Sequence, residues 1–158
     1  MSVALSTPAT EAEDIGALPL HQFLTYRISR VQAKLNAQAT RLLRQTSGIT
    51  LTQWRVIALV GAAGKTRLSD LAKEAALDKG LLSRNVKTLV RQKVVAAQMD
   101  DADHRAQILS LTPKGQEIFE RTLPVTRARQ QKLREGISED DLRAFRRVLD
   151  HLEIAAEK

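Results

Sequence analysis

Six residues near the middle of the chain, GAAGKT at positions 61–66, end like a loop that binds nucleotide phosphates. Such a loop has a glycine, four residues and then Gly-Lys-Ser/Thr, and it lies between a strand and a helix. The first glycine is needed at position 59, where this chain has Leu59, and the preceding LTQWRVIALV has the apolar spacing of a helix. The sequence therefore predicts that Gly61 and Gly64 end one helix before another begins near Thr66.

Other residues able to perform catalysis or bind metal are sparse. The chain has no cysteine, which excludes disulfides, zinc–thiolate sites and thiol-based oxidation sensing. Its histidines, His21, His104 and His151, follow no metal-ligand spacing. No Ser-His-Asp arrangement or paired-carboxylate signature is recognisable. We therefore expect no catalytic residue, no metal and no cofactor.

Basic residues are in excess. The chain of 158 residues carries 25 Lys and Arg against 18 Asp and Glu, a net charge of +7 that suits a polyanion, either nucleic acid or a membrane surface. No signal peptide and no apolar run of about 18 residues is visible, so we expect a soluble cytoplasmic protein. Residues 1–17 are predicted to be a mobile tail.

The basic residues are most ordered in the segment LDKGLLSRNVKTLVRQ. Asp78 can cap a helix over residues 79–92 whose apolar side is Leu82, Val86, Leu89 and Val90. The opposite side collects Gly80, Ser83, Arg84, Lys87 and Arg91, and from Lys79 to Lys93 there are five basic residues and no acid.

This face has the chemistry needed to read DNA. Gly80 allows close approach, Ser83 can bond a phosphate or a base edge, and Arg84 can pair bidentately with guanine. The alternative is the solvated face of an ordinary amphipathic helix. A membrane-surface helix is disfavoured, because the apolar stripes of this chain are interrupted by alanine and better suited to a dimer core.

The elements around this helix follow from periodicity and caps. We predict a helix from Leu20 to about Thr46, a helix over Gln53–Ala62 capped by Thr52, and a short helix over residues 67–76. The runs VVAAQM and AQILSL predict a β-hairpin around the loop DDADHR. Two more helices follow: one capped by Thr112 with Pro113 first and a kink at Pro124, ending before Gly136, and one capped by Ser138 with the stripe Leu142, Phe145, Leu149 and Leu152.

Short helices followed by a hairpin are typical of a winged helix-turn-helix, whose second paired helix enters the major groove. The segments LTQWRVIALV, LSDLAKEAALDKGLLSRNVKTLV and DDADHRAQILSLTPKG resemble consecutive signatures of the multiple-antibiotic-resistance-regulator (MarR) family of bacterial transcription factors. The resemblance covers about residues 20–155. It implies a mainly α fold with a small β-hairpin wing, flanked by long dimerisation helices.

The resemblance also implies roles for wing residues. Arg105 would lie at the wing tip and enter the minor groove, and Asp103 would orient it through an ion pair; the alternative is a loop ion pair of little consequence. The family usually has glycine at position 93 and arginine at position 97, where this chain has Lys93 and Ala97. Lys93 either strains the turn into the hairpin or adds a phosphate contact.

The implied organisation is a tail at residues 1–17, a dimerisation helix at 18–47, a DNA-binding lobe at 48–111 and dimerisation helices at 112–158. The implied function is that of a homodimeric regulator, a repressor, that binds a palindromic operator and is released by a small aromatic or phenolic acid. The residues able to contact such an effector are His21, Tyr26, Arg27, Trp54 and Arg55, although Trp54 also fits the core and Arg27 the surface. The alternative is a constitutive or architectural DNA-binding protein without an effector.

Overall fold

The computed structural model describes residues 17–75 and 77–157, so the predicted tail lies outside the described residues apart from Ala17. As predicted, the fold is mainly helical with a small antiparallel sheet. A short 3-10 helix at Leu20–Gln22 precedes the main elements, which are in chain order α1 (Leu24–Thr46), α2 (Leu51–Ala63), β1 (Lys65–Arg67), α3 (Leu68–Glu74), α4 (Lys79–Arg91), β2 (Val95–Met99), β3 (Gln107–Leu111), α5 (Pro113–Arg134) and α6 (Glu139–Ala156). The described residues form two compact units, residues 17–126 and residues 127–157.

The first long helix begins later than predicted. Phe23 is extended, with ψ 134°, and separates the 3-10 turn from α1, which starts at Leu24. The turn closes on itself, because the Phe23 N–H donates to the Leu20 carbonyl at 3.1 Å. Apolar residues keep their helical spacing across this break, so periodicity could not reveal it.

The predicted cap of α2 is wrong. Thr50, not Thr52, is the N-cap: its hydroxyl accepts from the Gln53 backbone N–H at 3.1 Å, and the Gln53 side chain accepts from the Thr50 N–H at 3.0 Å. This reciprocal capping box satisfies two backbone donors that would otherwise lack partners. Thr52 therefore lies in the first turn of a helix that begins at Leu51.

The GAAGKT segment ends a helix as expected but does not begin the next one. Gly64 adopts a φ of +72° at the C-terminus of α2, a conformation that favours glycine. The chain then forms β1, and α3 begins only at Leu68. The predicted helix start near Thr66 is wrong because Thr66 pairs with Leu109 in a β-ladder.

The predicted hairpin is part of a three-stranded antiparallel sheet with the order β1–β3–β2. In the hairpin Val95 pairs with Leu111 and Met99 with Gln107, within one residue of the predicted strand ends. The central strand contributes Leu109, which is fully buried, to the core below the sheet.

The buried core is aliphatic, as the low aromatic content indicates. Trp54 is its one aromatic member among the described residues, and its ring stacks on half-buried Phe119 with centroids 6.2 Å apart. The buried cluster comprises Leu43, Trp54, Val56, Ile57, Val60, Leu71, Ala75, Leu82, Val86, Leu89, Val94, Val95, Leu109 and Ile118. It joins the sheet to α2, α3 and α4, and so fixes the orientation of α4.

The C-terminal helices have the predicted caps. The Thr112 hydroxyl accepts from the Gly115 N–H at 3.1 Å at the start of α5, which continues through Pro124 as one helix. The Ser138 hydroxyl accepts from the Asp141 N–H at 3.1 Å at the start of α6. No helix among the described residues is long and apolar enough to cross a membrane.

Candidate nucleic-acid interface

Helix α4 packs against the core through its apolar face and exposes its basic face to solvent. The carboxylate of Asp78 caps it by accepting from the Leu81 N–H at 2.9 Å. Leu82, Val86 and Leu89 are buried in the core. The predicted reading residues lie on the other side, with Lys79, Gly80, Arg84, Lys87 and Arg91 exposed and Ser83 half-buried.

The cations of this face have no carboxylate partner in the part of the chain that the structure describes. No ion pair found among residues 17–75 and 77–157 involves Lys79, Arg84, Lys87 or Arg91. Other basic side chains of the same compact unit do pair, such as Lys73 with Asp70 and Arg121 with Glu117. The outer face of α4 is therefore a positive surface that no described carboxylate neutralises, which favours binding of a polyanion.

A depression of about 580 Å³ adjoins this face, between α3 and the first turns of α4. It is lined by Leu68, Ser69, Ala72, Lys73, Lys79, Leu82 and Ser83. Two hydroxyls and two ammonium groups thus surround an apolar floor. This arrangement can accept the phosphate backbone of a nucleic acid. A Cβ added at Gly80 would stand 3.1 Å from the capping oxygen of Asp78.

The wing loop follows β2, and its tip contains exposed Arg105. The side chain of Asp103 contacts this residue differently from the prediction. Its Oδ1 accepts from the backbone N–H of Arg105 at 3.0 Å, and no ion pair among the described residues joins it to the guanidinium. Asp103 therefore shapes the loop backbone and leaves the guanidinium of Arg105 free to meet another anion.

Sequence reasoning missed a residue pair at the base of the wing. Asp100 is only 7% exposed, and its Oδ2 lies 2.6 Å from Nη2 of Arg67. The backbone N–H of Ala102 holds the pKa of Asp100 below its ordinary value, and the guanidinium of Arg67 acts in the same direction. Asp100 looked like one of several acids in a polar loop, because its partner lies in a strand that was not predicted.

The start of α5 is joined to the turn after α4. The Thr112 hydroxyl donates to the carbonyl of Lys93 at 2.6 Å, and the Lys114 ammonium donates to the carbonyl of Gln92 at 3.0 Å. Lys93 adopts a φ of +58°, so the strain predicted for the turn into the hairpin is present. A Cβ on Gly115 would lie 2.0 Å from the Val94 carbonyl oxygen, which explains why glycine is needed there.

The predicted effector residues occupy three elements, the 3-10 helix, α1 and α2. His21 is exposed in the 3-10 helix, and Tyr26 and Arg27 are exposed in the first turn of α1. The guanidinium carbon of Arg30 lies over the ring of Tyr26, 5.9 Å from the ring centroid. Trp54 is buried and Arg55 is half-buried in α2. The core position expected for Trp54 and the surface position expected for Arg27 are both observed.

Comparison with known proteins agrees with this geometry. The sequence model of the MarR family matches residues 47–106, from the start of the lobe through the wing loop. The chain is 25% identical over 131 residues to the HTH-type transcriptional regulator TcaR of Staphylococcus aureus (strain Newman), covering 82% of this chain and 85% of that protein. It is 23% identical over 128 residues to the HTH-type transcriptional repressor IacR of Pseudomonas putida, covering 81% of this chain and 76% of that protein.

Solved structures share the fold. A MarR/EmrR family transcriptional regulator from Acinetobacter sp. ADP1 superposes with a TM-score of 0.80 at 25% identity, over 89% of this chain and 99% of that one. The structure of the S. aureus MepR–DNA complex superposes with a TM-score of 0.77 at 20% identity, over 85% of this chain and 98% of that one. BpsR of Bordetella bronchiseptica superposes with a TM-score of 0.73 at 22% identity, over 86% of this chain and 96% of that one. The DNA binding of BpsR is regulated by 6-hydroxynicotinic acid.

The fold and its exposed basic helix define a DNA-binding winged helix-turn-helix protein. The sequence model of the MarR family matches residues 47–106, and the chain is similar to transcriptional regulators that share this fold.

Proposed function

We propose that this regulator is a homodimeric repressor that binds an inverted repeat in duplex DNA, with α4 in the major groove and the wing in the adjacent minor groove. The observation that carries the proposal is the set of exposed cations on α4 without a carboxylate partner among the described residues. In a relative of the same fold, MepR, a complex with DNA has been solved.

The residues of α4 divide by side-chain chemistry. Arg84 has the planar fork that pairs with the O6 and N7 atoms of guanine, so it reads sequence. Lys79, Lys87 and Arg91 are exposed cations that hold phosphates and fix the register. Ser83 and Gly80 line the side of the helix that approaches the DNA most closely.

In the wing, Arg105 is the residue we assign to the minor groove. Its guanidinium has no ion-pair partner among the described residues, and the negative potential of a narrow A·T-rich groove favours an inserted arginine. Asp103 would act through the loop backbone, by holding the N–H of Arg105.

Dimerisation would bury two helices that are unusually exposed. Every residue from Leu20 to Lys34 is exposed, including Val31 at 55%. Helix α6 contains no buried residue, and Phe145 in it is 57% exposed. Apolar stripes of this length need a partner, and a second copy supplies one with the same stripes. We propose residues 18–47 and 112–158 as the dimerisation segments and residues 48–111 as the DNA-binding lobe.

Repression and release by an effector are supported by relatives. IacR is named as a repressor, and a hydroxylated aromatic acid regulates BpsR. We propose a small aromatic acid as effector, with His21, Tyr26, Arg27, Trp54 and Arg55 as the side chains that can stack on its ring or pair with its carboxylate. A regulator without an effector is the alternative, and it predicts that no aromatic acid changes DNA affinity.

Selection of bound genomic fragments, followed by titration of one fragment in a gel shift, tests the proposal. We expect half-sites about one helical turn apart. Arg84→Ala should reduce the preference for the selected fragment, whereas the matched control Arg121→Ala removes an exposed charge that is already paired with Glu117 and should change little. Equal binding to selected and scrambled duplexes would contradict the proposal. Adding hydroxylated benzoic acids to the same complex tests the effector.

A further inference from the structure

Arg67 and Asp100 form an ion pair that crosses the sheet. Arg67 is the last residue of β1 and pairs with Ile108 of β3, while Asp100 directly follows β2, whose last residue Met99 pairs with Gln107. Because β3 lies between β1 and β2, the contact of 2.6 Å joins the two outer strands at the end of the sheet from which the wing loop leaves.

Asp100 also holds both sides of the wing loop. Its Oδ1 accepts from the Ala102 N–H at 3.0 Å, and its own N–H donates to the Ala106 carbonyl at 3.0 Å. The Ala106 N–H in turn donates to the Asp103 carbonyl at 2.8 Å. A continuous chain of hydrogen bonds thus leads from the guanidinium of Arg67 to the backbone that carries Arg105.

The burial of the two partners is unequal. The side chain of Asp100 is 9% exposed, so it needs a partner to remain charged there, whereas the side chain of Arg67 is 49% exposed. If Arg67 is removed, the buried carboxylate loses its counter-ion and must either take up water or turn outward. Either change moves the loop, since the same carboxylate holds Ala102.

We propose that Arg67 is a positioning residue of the wing: through Asp100 it fixes the loop over residues 100–106 so that Arg105 reaches the DNA. This rests on the proposed contact of Arg105 with the minor groove. The competing role is direct, in which the exposed part of Arg67 itself touches a phosphate.

A double-mutant titration on one labelled duplex at fixed salt separates the two roles. We expect Arg67→Ala to weaken binding on the order of tenfold, equivalent to about 1.4 kcal/mol. In an Arg105→Ala background the same substitution should have less than about a twofold effect, because residues in one network are not additive. Arg67→Lys, which keeps the charge, should restore most of the affinity, and Arg121→Ala is the control for loss of one exposed charge.

The direct role predicts the opposite pattern. An Arg67→Ala effect that persists in the Arg105→Ala background and lowers the salt slope by about two units, one for each protomer, would overturn the proposal.

Hydrogen exchange of the free protein tests the positioning without DNA. We expect Arg67→Ala and Asp100→Asn to speed exchange at the amides of Ala102 and Ala106, while amides in α2 keep their protection. Unchanged exchange in the loop of either folded variant would overturn the proposal. Failure of the wild-type chain to bind DNA would instead contradict the proposed function and leave the exchange result to decide the role of Arg67.

Discussion

Replacement of Gly115 by alanine should destabilise the DNA-binding lobe, although alanine is the better helix former. In an exposed helix interior this change stabilises by about 0.5–1 kcal/mol. Gly115 is buried in the first turn of α5, and a Cβ there would lie 2.0 Å from the Val94 carbonyl oxygen and 3.3 Å from Cβ of Leu111. Because the closest atom belongs to the backbone, no side-chain rotation relieves the overlap.

The magnitude follows from what must move. Overpacking of this kind costs about 1–3 kcal/mol. Separating α5 from the turn also weakens the bonds from Thr112 to the carbonyls of Lys93 and Val94, at 2.6 Å and 3.1 Å, each worth about 1 kcal/mol. After subtraction of the helix-propensity gain, we expect a net loss of about 2–4 kcal/mol in the free energy of unfolding.

Urea denaturation followed by far-UV circular dichroism measures this loss, at one fixed protein concentration because the stability of the proposed dimer would depend on concentration. The control is Ala128→Gly at an exposed position of the same helix, which should cost only about 0.5–1 kcal/mol. If Gly115→Ala unfolds at the same or a higher urea concentration than wild type, the close approach of α5 to the turn is not a constraint and the reasoning fails.

Three other substitutions test separate parts of the account. Lys93→Gly should stabilise the lobe by about 1 kcal/mol in the same urea assay, since it relieves a left-handed backbone at φ +58°; an unchanged midpoint would show no strain. Arg84→Ala should relax base preference at a cost of about 1–3 kcal/mol per site, whereas Lys87→Ala should weaken all duplexes alike, so identical behaviour of the two variants in competition gel shifts contradicts the division of roles. Arg105→Ala should reduce DNA affinity more than Asp103→Ala while leaving the melting temperature nearly unchanged; an affinity of Arg105→Ala equal to wild type would mean that the wing does not touch DNA.

Features encoded by neighbouring residues were predictable from the sequence. The cap at Asp78, the helix end at Gly64, the hairpin and the caps of α5 and α6 all follow from residue type and short spacing. The basic face of α4 was predictable for the same reason, since helical periodicity alone separates it from Leu82, Val86 and Leu89.

Features that depend on distant parts of the chain were not predictable. Strand β1 has only three residues, KTR, with no apolar alternation, and it exists because Lys65 and Arg67 pair with β3 some forty residues later. Since β1 was missed, the partner of Asp100, Arg67, was missed as well. The ion pair that was predicted in the wing joined Asp103 to Arg105 instead. The N-cap of α2 was predicted at the wrong threonine. Thr50 and Thr52 are both suitable residue types, and the hydrogen bond from the Thr50 N–H to the Gln53 side chain decides for Thr50.

The salt dependence of DNA affinity tests the central claim, that the outer face of α4 neutralises DNA phosphates, most directly. The measurement is fluorescence anisotropy titration of a duplex selected by the protein, repeated over a series of salt concentrations. If Lys79, Lys87 and Arg91 of both protomers each neutralise one phosphate, the logarithm of the association constant should fall linearly with the logarithm of salt concentration, with a slope of about −5, and Lys87→Ala should make the slope shallower. An affinity that does not change with salt, or a slope that Lys87→Ala leaves untouched, would contradict the account.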